Sequence, residues 1–334
     1  MLRSIDVSHT GGLTSAARNA SAAEAAGCAG FWTAETRHDA FLQSVLALDA
    51  TERLTVGTGI VIGFARSPMT IAQEATDLQD LSGGRFILGL GSQIRTHITK
   101  RFSMPWGKPV RQMSELIGAV RAIWAHWYEG ARLDFRGEYY QHTFNSQAFR
   151  RRPAHAAPPP IHLAAVGPRM LQLAADEADG FISHSFLTER YLREEIVPIL
   201  DRGVRARQPD FERVVTCNVV VDDGSEAARV RLDAVRASIA LYGSTPAYRA
   251  VLDLHGLGAL HEELHRLSRL DEWGQMATLI DDDVVDLFAV VGSRERVVDE
   301  LLRRFGDVAT RLRLPFGDRD LTADLAAKFA GRLP

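Results

Sequence analysis

Residues 56–93, VGTGIVIGFARSPMTIAQEATDLQDLSGGRFILGLGSQ, carry the pattern of two buried strands joined by one helix. The β-branched run over 54–62 predicts the first strand. The pair Ser67-Pro68 predicts the start of the helix, because serine caps free backbone N–H groups and proline suits the first helical position. Gly83-Gly84 predicts the end of the helix, and the apolar run 85–91 predicts the next strand. Such a strand–helix–strand unit is typical of a parallel sheet.

The second of these strands ends on Gly89-Leu90-Gly91, which resembles the opening of a dinucleotide-binding G-x-G-x-x-G turn. The third glycine of that motif would fall on Ile94. The missing glycine argues against an NAD-dependent dehydrogenase of the Rossmann type. The two glycines must therefore make room for a group other than the pyrophosphate of a dinucleotide.

The same alternation of apolar runs and amphipathic segments continues along the 334 residues of the chain. The helical period is strongest over 111–128, where apolar residues recur three or four apart. About eight strand–helix units predict an α/β protein, a (β/α)8 TIM barrel that forms a single domain over 1–334. Two segments interrupt the alternation, and we interpret 92–110 and 243–287 as insertions after strands four and seven.

Composition excludes several classes of partner. With 39 basic and 42 acidic residues the net charge is −3, so no bulk attraction to nucleic acid or to an anionic membrane is expected. Cys28 and Cys217 are far apart and lack metal-ligand spacing, which predicts neither a disulfide framework nor a metal site. The alanine-rich beginning of the chain is interrupted by polar and charged residues and predicts no targeting segment or membrane span. A reducing cytoplasm is the expected location.

In a barrel of this type the working face lies at the carboxyl ends of the strands. The residues expected there are mostly small or polar: Glu35 and His38 after strand two, Thr58, Gly59 and Ile60 after strand three, Gly91 and Ser92 after strand four, and Ala165, Val166 and Gly167 after strand five. Small residues let a flat ligand approach the backbone, and the helix that begins after Gly167 offers free N–H groups to a phosphate. The alternative is structural: glycines required by turns, and a polar cluster at Glu35 and His38.

Several segments resemble the luciferase-like monooxygenase superfamily, and the resemblance covers nearly the whole chain. They are 56–93, RQMSELIGAVRAIW at 111–124 and IHLAAVGPRMLQLAADEADGFISH at 161–184, with Glu35 after strand two. RFSMPWGKPVRQM and YGSTPAYRAVLDLHG are similar to an actinobacterial subgroup assigned to coenzyme F420. The resemblance implies a barrel of bacterial-luciferase type that transfers hydride between this deazaflavin and a small organic substrate.

The resemblance also implies where the cofactor binds. Strand three is expected to bulge beside Thr58, with a cis peptide bond at Gly59-Ile60 that backs the ring. Gly91 and Ser92 are expected to line the ring. Ala165, Val166 and Gly167 match the segment that receives the cofactor phosphate.

The catalytic residues of related F420 enzymes do not transfer directly. Relatives often carry an acidic residue followed at once by a histidine after strand two, whereas here Glu35 is followed by Thr36. Others place a glutamate where this chain has Ile94. Glu35 and His38 are therefore predicted on their own account to polarise the substrate or deliver a proton.

Four further expectations concern the surroundings of the ring. Because side chains alternate along a strand, Phe31, Thr33 and Glu35 share one side, which we expect to face the pocket. Arg95 and Arg101 lie in a basic loop that either contacts the anionic tail of F420 or is simply solvated.

The third expectation concerns the wall of the pocket. Segment 243–287 is expected to lie across the barrel mouth, as part of the substrate pocket or of a subunit contact. Some aromatic residues form either a substrate pocket or ordinary core: Trp32, Phe64, Trp106, Tyr242 and Tyr248.

Two other functions remain open on the same fold. One is a monooxygenase that uses reduced FMN and oxygen, and the other is a flavin-binding protein without catalysis. The expected partners are a small-molecule substrate and further copies of the chain in a homo-oligomer, a dimer in the first instance.

Overall fold

A computed structural model of the protein describes residues 2–315 and 319–330. Eight parallel strands form the barrel. They are β1 (Ser4–His9), β2 (Gly30–Thr33), β3 (Thr55–Thr58, resuming at Val61–Ile62), β4 (Phe86–Gly91), β5 (Ile161–Ala164), β6 (Gly180–Ile182), β7 (Glu212–Thr216) and β8 (Arg311–Pro315).

Helices surround these strands. They are α1 (Leu13–Ala25), α2 (Ala40–Asp49), α3 (Pro68–Ser82), α4 (Pro109–Trp124), α5 (Pro168–Glu177), α6 (Glu189–Tyr191), α7 (Val197–Leu200), α8 (Glu226–Gly243), α9 (Arg249–Leu254), α10 (Gly258–Ser268), α11 (Trp273–Thr278), α12 (Asp282–Phe288), α13 (Arg294–Phe305) and α14 (Arg319–Ala330). Wider π-type turns occupy His97–Arg101, Ala125–Glu129 and Leu192–Ile196, and short 3-10 turns occupy Gly63–Ala65, Gln147–Phe149 and Pro246–Tyr248. In the described part of the chain no helix is both long enough and apolar enough to cross a bilayer.

The strands close into a ring. Their order is β3-β2-β1-β8-β7-β6-β5-β4, and pairing of β3 with β4 joins the two ends. All of these pairings are parallel. The predicted (β/α)8 barrel is confirmed.

The strand–helix–strand unit at 56–93 forms as its sequence predicts. The Ser67 hydroxyl accepts a hydrogen bond from the backbone N–H of Thr70, and Pro68 begins α3. Gly83 ends the helix with a φ of 63°, a left-handed conformation that glycine adopts without strain.

A bulge in β3 explains the glycines of β4. Gly57 lies opposite Ile87 and Val61 lies opposite Leu90, so residues 58–60 of β3 face only residues 88–89 of β4. A Cβ atom at Gly89 would lie 1.8 Å from the Thr58 carbonyl oxygen. The glycine is therefore required by the close approach of two strands.

The bulge is held by side-chain and backbone hydrogen bonds rather than by a cis bond. The Thr58 hydroxyl accepts the N–H of Gly89 and donates to its carbonyl, both at 2.8 Å. The N–H of Gly59 donates to the Thr33 carbonyl at 2.6 Å. The described residues contain no cis peptide bond, so the prediction of one at Gly59-Ile60 is wrong. A trans bond suffices here, and a cis bond without proline would cost about 3–4 kcal/mol.

A small second sheet lies outside the barrel. Strand Asn218–Val221 directly follows β7 and pairs in parallel with Ala289–Gly292. The sequence analysis ended the insertion at residue 287 and did not predict the strand Ala289–Gly292 that follows it. Between them, helices α8 to α12 share a separate hydrophobic cluster that includes Phe186, Leu264 and Phe288. The insertion therefore has its own core.

Candidate active site at the carboxyl mouth of the barrel

Most of the predicted ligand-binding residues lie at one end of the barrel. The carboxyl ends of β3, β4 and β5 bring together Thr58-Gly59-Ile60, Gly91-Ser92 and Ala165-Val166-Gly167. Thr58, Gly91 and Ala165 are buried, whereas Gly59, Ile60, Ser92 and Gly167 are half-buried and Val166 is exposed. This alternation leaves backbone and small side chains open to a ligand at the rim.

Ile60 forms the centre of this rim. A Cβ atom at Gly91 would lie 2.2 Å from the Ile60 Cδ1 atom, so the second glycine of β4 makes room for the side chain at the bulge. Next along the chain, Gln93 adopts a φ of 58°, a conformation that costs a non-glycine residue about 1–3 kcal/mol. Backbone strain of this kind is concentrated at functional sites.

The start of α5 offers an anion site. Gly167 has a φ of 79°, no side chain caps the helix, and Pro168 occupies its first turn. A Cβ atom at Gly167 would meet nothing within 4 Å, so the space over the helix start is open. Free N–H groups at a helix start attract phosphate and carboxylate groups.

Phe31 and Thr33 lie on the side of β2 that faces away from the barrel interior. Phe31 packs in the core between the strands and the helices, and the Thr33 hydroxyl contacts Ser44 Oγ on α2 at 3.0 Å. Trp32 is the residue that points into the barrel, where it packs with Ile87 and others. The prediction that Phe31 and Thr33 face the pocket is wrong, because the alternation of β2 runs with the opposite phase, and Glu35 lies beyond the end of this strand.

The Glu35 carboxylate instead supports the bulge. It accepts the backbone N–H of Ile62 at 2.6 Å and pairs with Arg66 at 2.7 Å, with its side chain 7% exposed. Arg66 also pairs with Asp39. Glu35 thus ties the loop after β2 to the chain that leaves the bulge.

His38 lies at the rim between β1 and β2. It is exposed, and a Cβ atom at Gly12 would lie 3.2 Å from its Nε2 atom. Burial lowers the pKa of the neighbouring His9, and the proximity of the His38 ring adds to this effect. The structure therefore gives Glu35 and His38 different neighbours rather than one shared site.

The basic loop after β4 packs beside these residues. Arg101 donates to the Thr36 carbonyl at 2.6 Å and lies over the Phe102 ring at 4.9 Å. Arg95 is exposed. The loop that carries both arginines is thereby joined to the loop after β2.

The insertion lines the other side of the mouth. The ring of His184, which follows β6, lies 4.4 Å from that of Tyr242 and 4.7 Å from that of Tyr248. Thr188 Oγ1 contacts His255 Nε2 at 2.9 Å. The segment therefore packs against residues that follow β6, at the carboxyl end of the barrel. Phe64 and Trp106, by contrast, form an edge-to-face pair against the main core.

The barrel interior holds two layers of polar groups. In the lower layer, towards the amino ends of the strands, Arg311 pairs with Asp6 at 2.9 Å and with Glu212 at 2.8 Å. In the upper layer, at the mouth, Arg313 donates to the Thr216 hydroxyl. The Trp32 indole lies between them: its Nε1 donates to Asp6, and Arg313 stacks over its ring.

A cavity of about 850 Å³ opens below the lower layer, at the amino ends of the strands. Its lining includes Phe86, His162 and Arg311, and ion pairs such as Arg121–Asp179 and Arg205–Asp179. We place the active site at the mouth instead, because chemistry in these barrels is carried by the loops after the strands.

Comparison with known proteins agrees with this geometry. The luciferase-like monooxygenase family model matches residues 3–311. The chain belongs to the luciferase-like monooxygenase family. It is 47% identical over 305 residues to an uncharacterized protein of Mycobacterium tuberculosis, covering 90% of this chain and 89% of that one.

Two further comparisons involve reductases. The chain is 28% identical over 265 residues to a 5,10-methylenetetrahydromethanopterin reductase of Archaeoglobus fulgidus, covering 77% of this chain and 75% of that protein. The solved coenzyme F420-dependent tetrahydromethanopterin reductase of Methanopyrus kandleri superposes with a TM-score of 0.76 at 18% identity, over 98% of both chains. Family and fold are thus those that the sequence resemblance implied.

Sequence reasoning missed two residues at the mouth of this luciferase-like barrel, His184 and Arg313. One signal was present for Arg313. In RLRLP of β8, charged and apolar residues alternate within a strand that the fold buries on both faces. Arginines at that period must point into the barrel.

Proposed function

We propose that the protein is an F420-dependent oxidoreductase that transfers hydride between the deazaflavin and a small organic substrate at the carboxyl mouth. The observation that carries the proposal is the combination of the Gly59-Ile60 bulge with the open, uncapped start of α5 at the same end of one barrel. The coenzyme named for the Methanopyrus reductase supports the choice of F420.

The residues present fit such a cofactor. Gly59, Ile60, Gly91 and Ser92 form a shelf at the rim, on which Ile60 is the one large side chain and covers Gly91. A shelf of this kind offers an apolar surface that suits a flat ring. Gly167 leaves open space over backbone N–H groups, which suits a phosphate. When bound, F420 would supply or accept the hydride at its ring.

The protein itself positions the cofactor and the substrate and excludes water from them. Glu35 holds the chain after the bulge through Ile62 N–H and Arg66, so we propose it as a positioning residue. His38 is exposed at the rim and is retained as the candidate that delivers a proton to the substrate. Arg95 and Arg101 are proposed to contact the anionic tail, with Arg101 anchored by its bond to Thr36.

Equilibrium titration with F420 and with FMN tests the cofactor. We expect tighter binding of F420, whereas tighter binding of FMN would favour the monooxygenase that uses reduced flavin and oxygen. Tight binding of F420 without turnover of any acceptor would indicate a binding protein instead.

A matched pair of glycine variants tests the phosphate site. Gly167→Ala strains the start of α5 and should weaken F420 binding by about tenfold, since an oriented anion contact contributes about 1 kcal/mol or more. Gly83→Ala also places an alanine at a glycine of positive φ, at the end of α3, and should leave F420 binding unchanged. An equal loss of F420 affinity in both variants would show that the cofactor phosphate does not bind at the start of α5.

We also propose a homodimer. On α2 the outward residues Leu42, Val45 and Leu46 are 55%, 38% and 37% exposed, although the remaining residues of that helix, apart from Asp49, are buried. An apolar face of this kind suits a second copy of the chain. Val45→Lys should produce monomers in light scattering, whereas Val230→Lys, at an exposed valine of α8, should not.

A further inference from the structure

Arg313 is a buried cation without a carboxylate partner among the residues that the structure describes. Its residue is 7% exposed, on β8 at the floor of the mouth. Nε and Nη2 donate to the Thr216 hydroxyl at 3.0 Å and 2.7 Å, and a hydroxyl carries no charge. Within the described ranges, no aspartate or glutamate oxygen lies within 4 Å of its guanidinium, whereas Arg311 has two such carboxylates.

The acidic residue paired with Arg313 across the strands, Asp6, already has other hydrogen-bond partners. Asp6 lies directly across the strand pair from Arg313, but its carboxylate accepts from Arg311 and from Trp32 Nε1. Burial lowers the pKa of Arg313 to about 10, with Asp6 offsetting part of that effect. A buried charge without a partner is costly, and such a cost is retained where a ligand supplies the partner.

The free edge of the guanidinium points to the predicted ligand. A Cβ atom at Gly59 would lie 2.6 Å from Arg313 Nη1, so Arg313 reaches across the floor, over the Trp32 ring, to the bulge. Nη1 makes no hydrogen bond to the residues that the structure describes. It is a donor aimed at the shelf where we place the ring.

His184 adds a neutral donor on the adjoining wall. Burial, and next the charge of Arg313, lower its pKa to about 4, so the imidazole is neutral at physiological pH. The N–H of Phe186 donates to His184 Nδ1 at 2.9 Å, which places the ring proton on Nε2. The neighbouring Tyr242 and Tyr248 hydroxyls are held protonated, because burial raises their pKa values. The wall is therefore aromatic, uncharged and able to donate.

We propose that Arg313 binds the carboxylate of the hydride acceptor, and that the acceptor is a conjugated or aromatic acid whose flat body packs against His184, Tyr242 and Tyr248. The inference rests on the proposed function, since it names the substrate class of the same mouth. A neutral acceptor would leave Arg313 unpaired, and a carboxylate supplies the paired geometry that a guanidinium prefers. The same guanidinium could instead hold carbonyl oxygens of the cofactor ring, and the test separates the two.

The test measures binding of benzoate and of its uncharged analogue benzamide to the purified full-length protein. Thermal unfolding is recorded with each compound, because a ligand that binds only the folded state raises Tm. F420 affinity is measured separately by fluorescence titration. We expect benzoate to raise Tm and benzamide to leave it unchanged. Arg313→Gln should weaken benzoate binding by about 30-fold or more and leave F420 affinity within about twofold.

Two further variants keep the test valid if Arg313→Gln does not fold. Thr216→Val retains the charge but removes the acceptor that orients the guanidinium, so it should weaken benzoate binding. Thr216→Ser retains a hydroxyl at the same position, so its benzoate affinity should be close to that of the unmodified protein.

Three outcomes overturn the inference or separate it from the proposed function. Equal Tm shifts with benzoate and benzamide in the unmodified protein would overturn the role of Arg313, whatever F420 does. Loss of F420 affinity in Arg313→Gln, with no response of the unmodified protein to benzoate, would assign Arg313 to the cofactor. Binding of benzoate but of neither F420 nor FMN would overturn the proposed function and leave the carboxylate site standing.

Discussion

Arg311 and Arg313 lie two residues apart on β8, point into the same barrel and are both largely buried, yet their surroundings differ. Arg311 is clasped by Asp6 and Glu212, and although burial opposes the charged form, these carboxylates raise its pKa overall. Arg313 contacts the Thr216 hydroxyl, and burial lowers its pKa. Within the described part of the chain, one strand therefore carries an arginine that is paired with carboxylates and another that is not.

The different surroundings of the two arginines distinguish a structural layer of the barrel interior from a layer available to ligands. The lower layer, comprising Asp6, Glu212, Arg311 and His162, satisfies its charges internally and supports the barrel. The upper layer, comprising Arg313, Thr216 and His184, keeps donors unused at the end where ligands enter. The Trp32 ring keeps the two layers apart.

The largest expected effect comes from breaking the lower layer. Arg311→Met leaves the Asp6 and Glu212 carboxylates buried without their cation, so it should lower the free energy of unfolding by about 3–5 kcal/mol. Arg313→Met removes a charge that has no carboxylate partner in residues 2–315 and 319–330, and it should change the free energy of unfolding by about 1 kcal/mol or less. Urea unfolding of both variants measures the difference. Equal losses would show that the two arginines play the same role.

An intermediate effect is expected from acid. Burial lowers the pKa of His162 to about 3, whereas its ordinary value is 6.5. Because the unfolded chain binds the proton first, this histidine lowers stability as pH falls below 6.5, by about 2 kcal/mol at pH 5. His162→Gln cannot take up a proton and should lose correspondingly less stability between pH 7 and pH 5. An unchanged slope would mean that His162 does not remain neutral in the folded protein.

The smallest effect is expected from the upper layer. Thr216→Val removes the hydroxyl that accepts from Arg313 and should lower the free energy of unfolding by about 1 kcal/mol, the usual contribution of one hydrogen bond. Thr216→Ser should recover most of it. Chemical denaturation of the three proteins provides the measurement. A loss as large as that of Arg311→Met would contradict the distinction between the layers.

Local sequence signals predicted the elements well, because their causes are local. The Ser67-Pro68 start and the Gly83 end of α3 depend on backbone chemistry within a few residues. The side chains of β2 that point into the barrel were predicted wrongly. GFWT is buried on both sides, so its burial pattern has no alternation that could show which side faces the barrel.

The sequence by itself determined the order of strands and helices, the barrel class and the small residues at the strand ends, since these follow from periodicity, capping and backbone freedom. Only the tertiary structure decided that Gly89 makes room for the Thr58 carbonyl and that Glu35 supports the bulge. It also decided that, among the described residues, carboxylates pair with Arg311 and not with Arg313. The physical reason is distance along the chain. Arg311 and Asp6 are separated by almost the whole sequence, and closure of the barrel is what brings a charge to its partner or leaves it without one.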